Sequence, residues 1–307
     1  MVLNKFGALR RHILWECISP LLNQRWVTAL HNRYYEKLTS QDARDHWRKR
    51  IELVLESTDN AYIKRVPDAG TVRKGYQVMH NGQETLAGGY YCFDVLRMLE
   101  LSRGVHEPQE ERVFQEVLPY IPEGATMLEL GAYWAFYSMW FLQQVKHGRA
   151  ILVEPSLHSM AIGKHNFKHN RLKGEFIRAY VGGKSDLPFD NAPSITVDEI
   201  LRNRGVKTLH MLHADVQFAE LEMLNGCEQA FKNRQIHFIF ISSHSNQLHD
   251  ACEARLKELG FEILASINRD DSYSDDGLLV AKLPGIPGPA PFELSRRTKK
   301  NSATSTP

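Results

Sequence analysis

The sequence is poor in cysteine. Its 307 residues contain four, Cys17, Cys92, Cys227 and Cys252, widely scattered and without a CxxC pair. That spacing excludes a disulfide framework and a zinc knuckle, and it suits a reducing cytoplasm. Long apolar runs are also missing. The one N-terminal apolar stretch, Ile13 to Leu22, is interrupted by Glu16 and Pro20. It is too short to span a bilayer and lacks a small-residue cleavage site, so no integral membrane segment is expected. The first two dozen residues are basic and amphipathic, which leaves weak contact with a membrane surface open. Charge of one sign is lacking too: 38 Lys and Arg stand against 36 Asp and Glu, a net of +2, and nothing points to nucleic acid. There is no internal repeat.

What is present is ordinary globular composition, 43% apolar and 24% charged, in a chain long enough for a full core. Three textures divide it. Residues 1–108 are rich in charge and aromatics and read as a mostly helical extension or lid. Trp47, Ile51, Val54 and Leu55 form one helical stripe, and a turn-rich patch follows from Asn60 to Tyr91. Gln77–His80 before Asn81-Gly82 reads as one arm of a hairpin. Residues 109–283 are regular. Strands are expected at Thr126–Leu130, Ala150–Val153, Glu175–Val181, Leu209–Ala214, His237–Ser242, Phe261–Ser266 and Gly277–Lys282. Helices are expected at Glu111–Leu118, Tyr137–Val145, Ser159–Asn170, Val197–Arg204, Ala219–Phe231 and Gln247–Leu259. Alternation of this kind means an α/β fold with a mostly parallel sheet covered on both faces. The last two strands, joined by the polar loop Asn268–Asp276, predict an antiparallel hairpin at the sheet edge. Residues 284–307, Pro/Gly-rich and then basic, predict an ordered strap at most, followed by disorder.

The most informative segment is MLELGAYWAFYS (Met127–Ser138), followed one helix later by ILVE (Ile151–Glu154). A strand ends in an acid, turns at a glycine and enters an aromatic helix; the next strand ends in another acid. An open α/β sheet builds a nucleoside pocket in this way: Gly131 permits close backbone approach, and Glu154 can accept a ribose diol. A tight turn flanked by solvated acids is the bland alternative. The segment is not GxGxxG, because Tyr133 and Ala135 stand where a dinucleotide fold wants glycines, and this weighs against a nicotinamide-dependent oxidoreductase.

These residues resemble the FkbM-type, S-adenosylmethionine-dependent methyltransferases of the class I, Rossmann-like fold. The resemblance extends through ILVEPS, Asn166–Asn170, Ser194–Ile200, His213–Gly226 and Asp276–Ala281, and covers about Ala61 to Lys282. It implies a seven-stranded, mostly parallel sheet with an antiparallel edge strand and S-adenosyl-L-methionine as cofactor. Glu129, Gly131, Ala132 and Ser138 would line its methionine and ribose part, Glu154 would hold the ribose hydroxyls, and Asp215 would face cofactor and acceptor. Adenine would lie near Tyr180-Val181-Gly182. The acceptor would be a small hydroxylated metabolite or sugar, with a homo-oligomer left open.

Three departures stand out. Ala135 and Phe218 replace glycines, and Ser242-Ser243 replaces an expected carboxylate before His244. They motivate an alternative, a methyltransferase-fold binding protein without turnover. O-methylation needs a base, and His244 and His213 are the candidates, with Asp215 beside them; no metal site is expected. His158, His165 and His169 read as a solvated helix face. Trp134, Phe136, Tyr137, Trp140 and Phe141 read mostly as core. The His80-Asn81-Gly82 turn and Tyr90-Tyr91 read equally as an acceptor lid or a structural hairpin.

Overall fold

A computed structural model describes residues 41–91, 93–182 and 192–297. Ile13–Leu22, Cys17, Cys92 and the tail beyond Arg297 lie outside the described residues. Among the described residues of the leader, the first elements are helix α1 (Gln41–Glu56) and a 3-10 turn (Thr58–Tyr62). An antiparallel three-stranded sheet follows, β1 (Val72–Arg73), β2 (Tyr76–Val78) and β3 (Glu84–Leu86), and then α2 (Phe93–Leu101). Helix α3 (Pro108–Val117) begins with proline at its first turn, where no amide is needed.

The regular region runs β4 (Thr126–Leu130), α4 (Phe136–Gln144), β5 (Arg149–Val153), α5 (Leu157–His169), β6 (Glu175–Ile177), β7 (Tyr180–Val181) and β8 (Ser194–Ile195). It continues with α6 (Val197–Asn203), β9 (Leu209–Ala214), α7 (Glu220–Asn225), α8 (Glu228–Lys232), β10 (Ile236–Ser243), α9 (Asn246–Glu258), β11 (Glu262–Ile267) and β12 (Gly277–Lys282). The seven-stranded sheet has the order β11-β12-β10-β9-β4-β5-β6. This is a Rossmann-like, class I arrangement. The expected hairpin lies at the edge, but its antiparallel member is the inner strand: β12 pairs antiparallel with both β10 and β11.

Two expected elements are divided. The strand Glu175–Val181 leaves the sheet after Ile177, and Tyr180–Val181 pairs with β8 instead. The helix Ala219–Phe231 breaks at Gly226-Cys227, because the Asp198 carboxylate accepts the amides of Gln229 and Ala230 and starts α8 afresh.

Both sheet faces are buried with period two. In β10, Ile239 and Ile241 join one cluster while Phe238 and Phe240 join the other. The second cluster also holds Val54, Met79, Val95, Met98 and Leu99 with Val113 and Phe114 of α3. The leader and the sheet thus share one core. The His165/His169 face is not solvated: Tyr76 of β2 stacks on His169 at 3.5 Å and bonds His165 Nε2 at 2.8 Å. These histidines dock β2 on α5, because Glu84 and Tyr76 complete their bonding. The His80 turn is structural as well, its imidazole buried against Glu111. Residues 284–297 form a strap, with Phe292 and Leu294 on the core and the Ser295 amide on Asp59. No described helix is long and apolar enough to cross a membrane.

Candidate active site

A cavity of about 770 Å³ opens at the C-terminal ends of β4, β5 and β9, where an open α/β sheet places its ligands. Glu129, Gly131, Ala132, Glu154, His213 and Asp215 all line it, so six predicted residues from three strands converge. Tyr90 and Tyr91 of the leader, with Trp134 and Tyr137, form its aromatic wall. Tyr90 stacks on Trp134 at 4.3 Å.

Gly131 has φ +74°, and a β-carbon there would lie 1.8 Å from the Asp215 carbonyl oxygen. Its glycine character is therefore required by the β9 turn, whereas the sequence suggested a ligand. The Gly131 and Ala132 amides are already spent on the Val153 carbonyl. Glu154 accepts the amides of Tyr133 (3.0 Å) and Ser156 (2.8 Å), and its carboxylate retains lone pairs for a ligand. Burial raises its pKa. Glu129 is almost fully buried and accepts the Ser138 amide at 3.1 Å. Desolvation pushes its pKa up to about 7 despite the neighbouring His213. Ser138 is fully buried and does not line the cavity, so its part is to hold Glu129.

His244 also lies outside the cavity lining. Its Nδ1 bonds the buried Glu220, while Nε2 meets Asp215 Oδ1 at 3.3 Å and Asp276 Oδ1 at 3.4 Å. Against the cost of burial, these carboxylates raise its pKa to about 10. It is a cation with both nitrogens engaged, a geometry opposed to that of a free base. His213 Nε2 bonds Glu110 Oε1 at 2.6 Å, and Ser242 Oγ donates to Glu110 Oε2 at 3.0 Å. The carboxylate missing from β10 is thus delivered by α3.

Glu110, Glu107 and His106 were missed from the sequence. Glu107 and His106 line the cavity and belong to a buried chain with Glu111, His80 and Arg50. Acids in a first helical turn ordinarily complement the helix dipole at the surface. The available signal was spacing: Glu110 precedes Val113, Phe114 and Val117 by three, four and seven, which places it on the buried stripe.

Ala135 has φ +64° and Phe218 φ +75°, so both keep the backbone that a glycine would favour. The Phe218 ring is 63% exposed and does not fill the site.

Residues 189–263 match the model of the methyltransferase FkbM domain. The matched segment carries His213, Asp215, Phe218, Ser242 and His244, and the resemblance read from the sequence holds there. Solved structures similar to the chain include precorrin-6y C5,15-methyltransferase from Geobacter metallireducens, at 12% identity, covering 56% of this chain and 87% of that one, with a TM-score of 0.40. M. capricolum TrmK in complex with S-adenosyl-homocysteine is 13% identical, with coverage of 56% and 68% and a TM-score of 0.39. Aeropyrum pernix fibrillarin with natively bound S-adenosyl-L-methionine is 15% identical, with coverage of 52% and 67% and a TM-score of 0.36. No curated protein matches the chain.

Proposed function

We propose that the chain is an S-adenosylmethionine-dependent O-methyltransferase acting on a small hydroxylated or sugar-like acceptor. One observation carries the reading: Glu154, Glu129 and Asp215 converge on a single 770 Å³ cavity beside the Gly131 turn. That volume falls within the range of about 300–1,000 Å³ common to ligand sites. Glu154 has acceptor capacity left for a ribose diol. Glu129 is a buried acid whose pKa of about 7 signals a carboxylate short of a cation, and an amino acid ammonium would supply one. Tyr180, Val181 and Ala179 close the far end, where a base would lie. Tyr90, Tyr91, Tyr133 and Trp134 offer flat faces to a ring-shaped acceptor at the other end.

When bound, the cofactor supplies an electrophilic methyl group on a sulfonium; the protein holds the acceptor in line and excludes water. The alternative of a binding protein without turnover rested on Ala135, Phe218 and Ser242. The first two keep a glycine-like backbone, and the third is bonded to Glu110, so the objection they raised loses its force.

Calorimetry tests the reading. Glu154→Ala should weaken S-adenosylmethionine binding by about 1.5–3 kcal/mol through loss of charge-assisted hydrogen bonds. Glu154→Gln, which keeps an oxygen for the Tyr133 amide, should lose less. An unchanged dissociation constant in both removes Glu154 from the site, and a thermal shift with NAD(P) alone defeats the reading.

A further inference from the structure

We infer that the acceptor enters as a cation, a hydroxylated molecule bearing an ammonium such as an amino sugar, and that the Asp215 carboxylate takes this charge beside the ring of Tyr91. This rests on the methyltransferase reading above and names the acceptor class of that same site. The cavity wall carries four carboxylates, Glu107, Glu129, Glu154 and Asp215, and no lysine or arginine is among the described residues that line it. Asp215 is the one that solvent reaches: its side chain is 31% exposed, whereas the other three acids are buried. Its contacts with His244 Nε2 and with the Gln217 side-chain amide both fall on Oδ1, which leaves Oδ2 with lone pairs to offer. The bonds that hold the turn itself are made by the Asp215 backbone, so the side chain is free of that duty.

The charges around the wall leave it negative. Its two imidazoles are bonded to carboxylates, His106 to Glu107 and Glu111 and His213 to Glu110, and Arg50 also lies beside Glu107. His244 is shared by Asp215, Glu220 and Asp276. Burial pushes Asp276 up to about 7, and Asp215 and Glu107 add to the rise against the pull of His244. Glu154 is answered by amides alone. A phosphorylated or carboxylated acceptor would therefore meet like charge and find no guanidinium or ammonium to pair with.

A neutral acceptor fits less well than a cation. Seating it would strip water from Asp215 and give the carboxylate nothing in exchange, and an uncompensated charge is costly to desolvate. An ammonium replaces that water and gains the aromatic wall as well. Tyr90 and Tyr91 pack edge to face at 4.6 Å, and Tyr91 is 57% exposed, so ring surface remains for a ligand. Burial, with Glu107 and Asp215 nearby, raises the pKa of both phenols, so the rings stay neutral and their faces attract a cation. Held as an ammonium, the acceptor nitrogen has no lone pair; it anchors the molecule and leaves its hydroxyl as the nucleophile.

The test uses the full chain saturated with S-adenosylhomocysteine, so that the cofactor's own ammonium is already in place, and three matched probes: glucosamine, glucose and glucose 6-phosphate. Ligand-observed NMR titrations should give glucosamine an affinity about tenfold above that of glucose, with glucose 6-phosphate the weakest. The advantage of glucosamine should shrink as salt is raised, persist in Asp215→Glu and vanish in Asp215→Asn, while glucose binds all three proteins alike. Tyr91→Leu should lower it by a smaller factor. Equal binding of glucosamine and glucose, tighter binding of glucose 6-phosphate, no binding of glucosamine, or a preference that survives intact in Asp215→Asn each overturns the inference. Calorimetry with S-adenosylhomocysteine separates the failures. If it binds and glucosamine holds no advantage, the methyltransferase reading stands and the cationic acceptor falls. If it does not bind, that reading falls, and the same titrations on the unloaded protein still decide whether Asp215 selects the amine.

Discussion

Ala135 offers a sharp test of the backbone that carries the pocket. It caps α4 with φ +64° and ψ 32°, and its side chain is fully buried. Replacement by glycine sets three effects against each other. Relief of an L residue from the left-handed region gains about 1–2 kcal/mol. Loss of one buried methyl costs about 0.8 kcal/mol. The added freedom of the unfolded chain costs roughly 0.5–1 kcal/mol. The sum lies within about 0.8 kcal/mol of zero. Ala230, equally buried but inside α8, has no strain to relieve. Ala230→Gly should therefore lose about 1.5 kcal/mol from the last two effects alone. Urea denaturation of both variants beside the parent decides the matter. If Ala135→Gly costs as much as Ala230→Gly, the left-handed backbone at 135 is wrong, and so is the claim that alanine there preserves a glycine's geometry. Ala135→Val extends the test. A branched side chain at that φ, facing Gly163, where even a β-carbon would come within 3.3 Å of the existing methyl, should cost about 3 kcal/mol.

Further outcomes follow from the same geometry. Gly131→Ala should destabilise by about 3 kcal/mol or more, since its β-carbon meets a backbone oxygen that cannot move aside; a melting temperature within a degree of the parent contradicts this. Glu129 has a pKa of about 7, so protons compete with a ligand ammonium below that pH. The affinity for S-adenosylmethionine should fall as pH drops from 8 to 6, and calorimetry on Glu129→Gln should show that slope lost. His244 is raised from 6.5 to about 10, so its ion-pair stabilisation is complete below pH 6.5 and lost as pH rises through 10. His244→Gln should flatten the decline in stability across that window; an unchanged slope in chemical denaturation shows that His244 holds no extra proton.

Much of the sheet was legible because its strands are short, apolar and separated by capped helices. Six of the seven strand expectations came within one residue at each end, and Thr126–Leu130, Leu209–Ala214 and Gly277–Lys282 coincide with β4, β9 and β12. The division of Ala219–Phe231 was not legible, since it depends on Asp198, which reaches it only in space. The side of the cavity built by Glu129 and Glu154 could be read because these acids end consecutive strands. The side built with α3 could not. Glu110 lies 103 residues from His213, and its acids look like ordinary helix-start charges until the core covers them. His165 and His169 misled for the same reason: the tyrosine that buries them comes from β2.

The contact between Gly131 and Asp215 has a mechanical consequence. The Asp215 amide donates to the Leu130 carbonyl while its own carbonyl fills the space above Gly131. The two turns that form the floor of the cavity are thereby bolted to one another, and neither can swing without dragging the other. A ligand cannot enter by prising the strand ends apart. Traffic must instead pass the rim, where Tyr91 lines the cavity with its ring largely exposed.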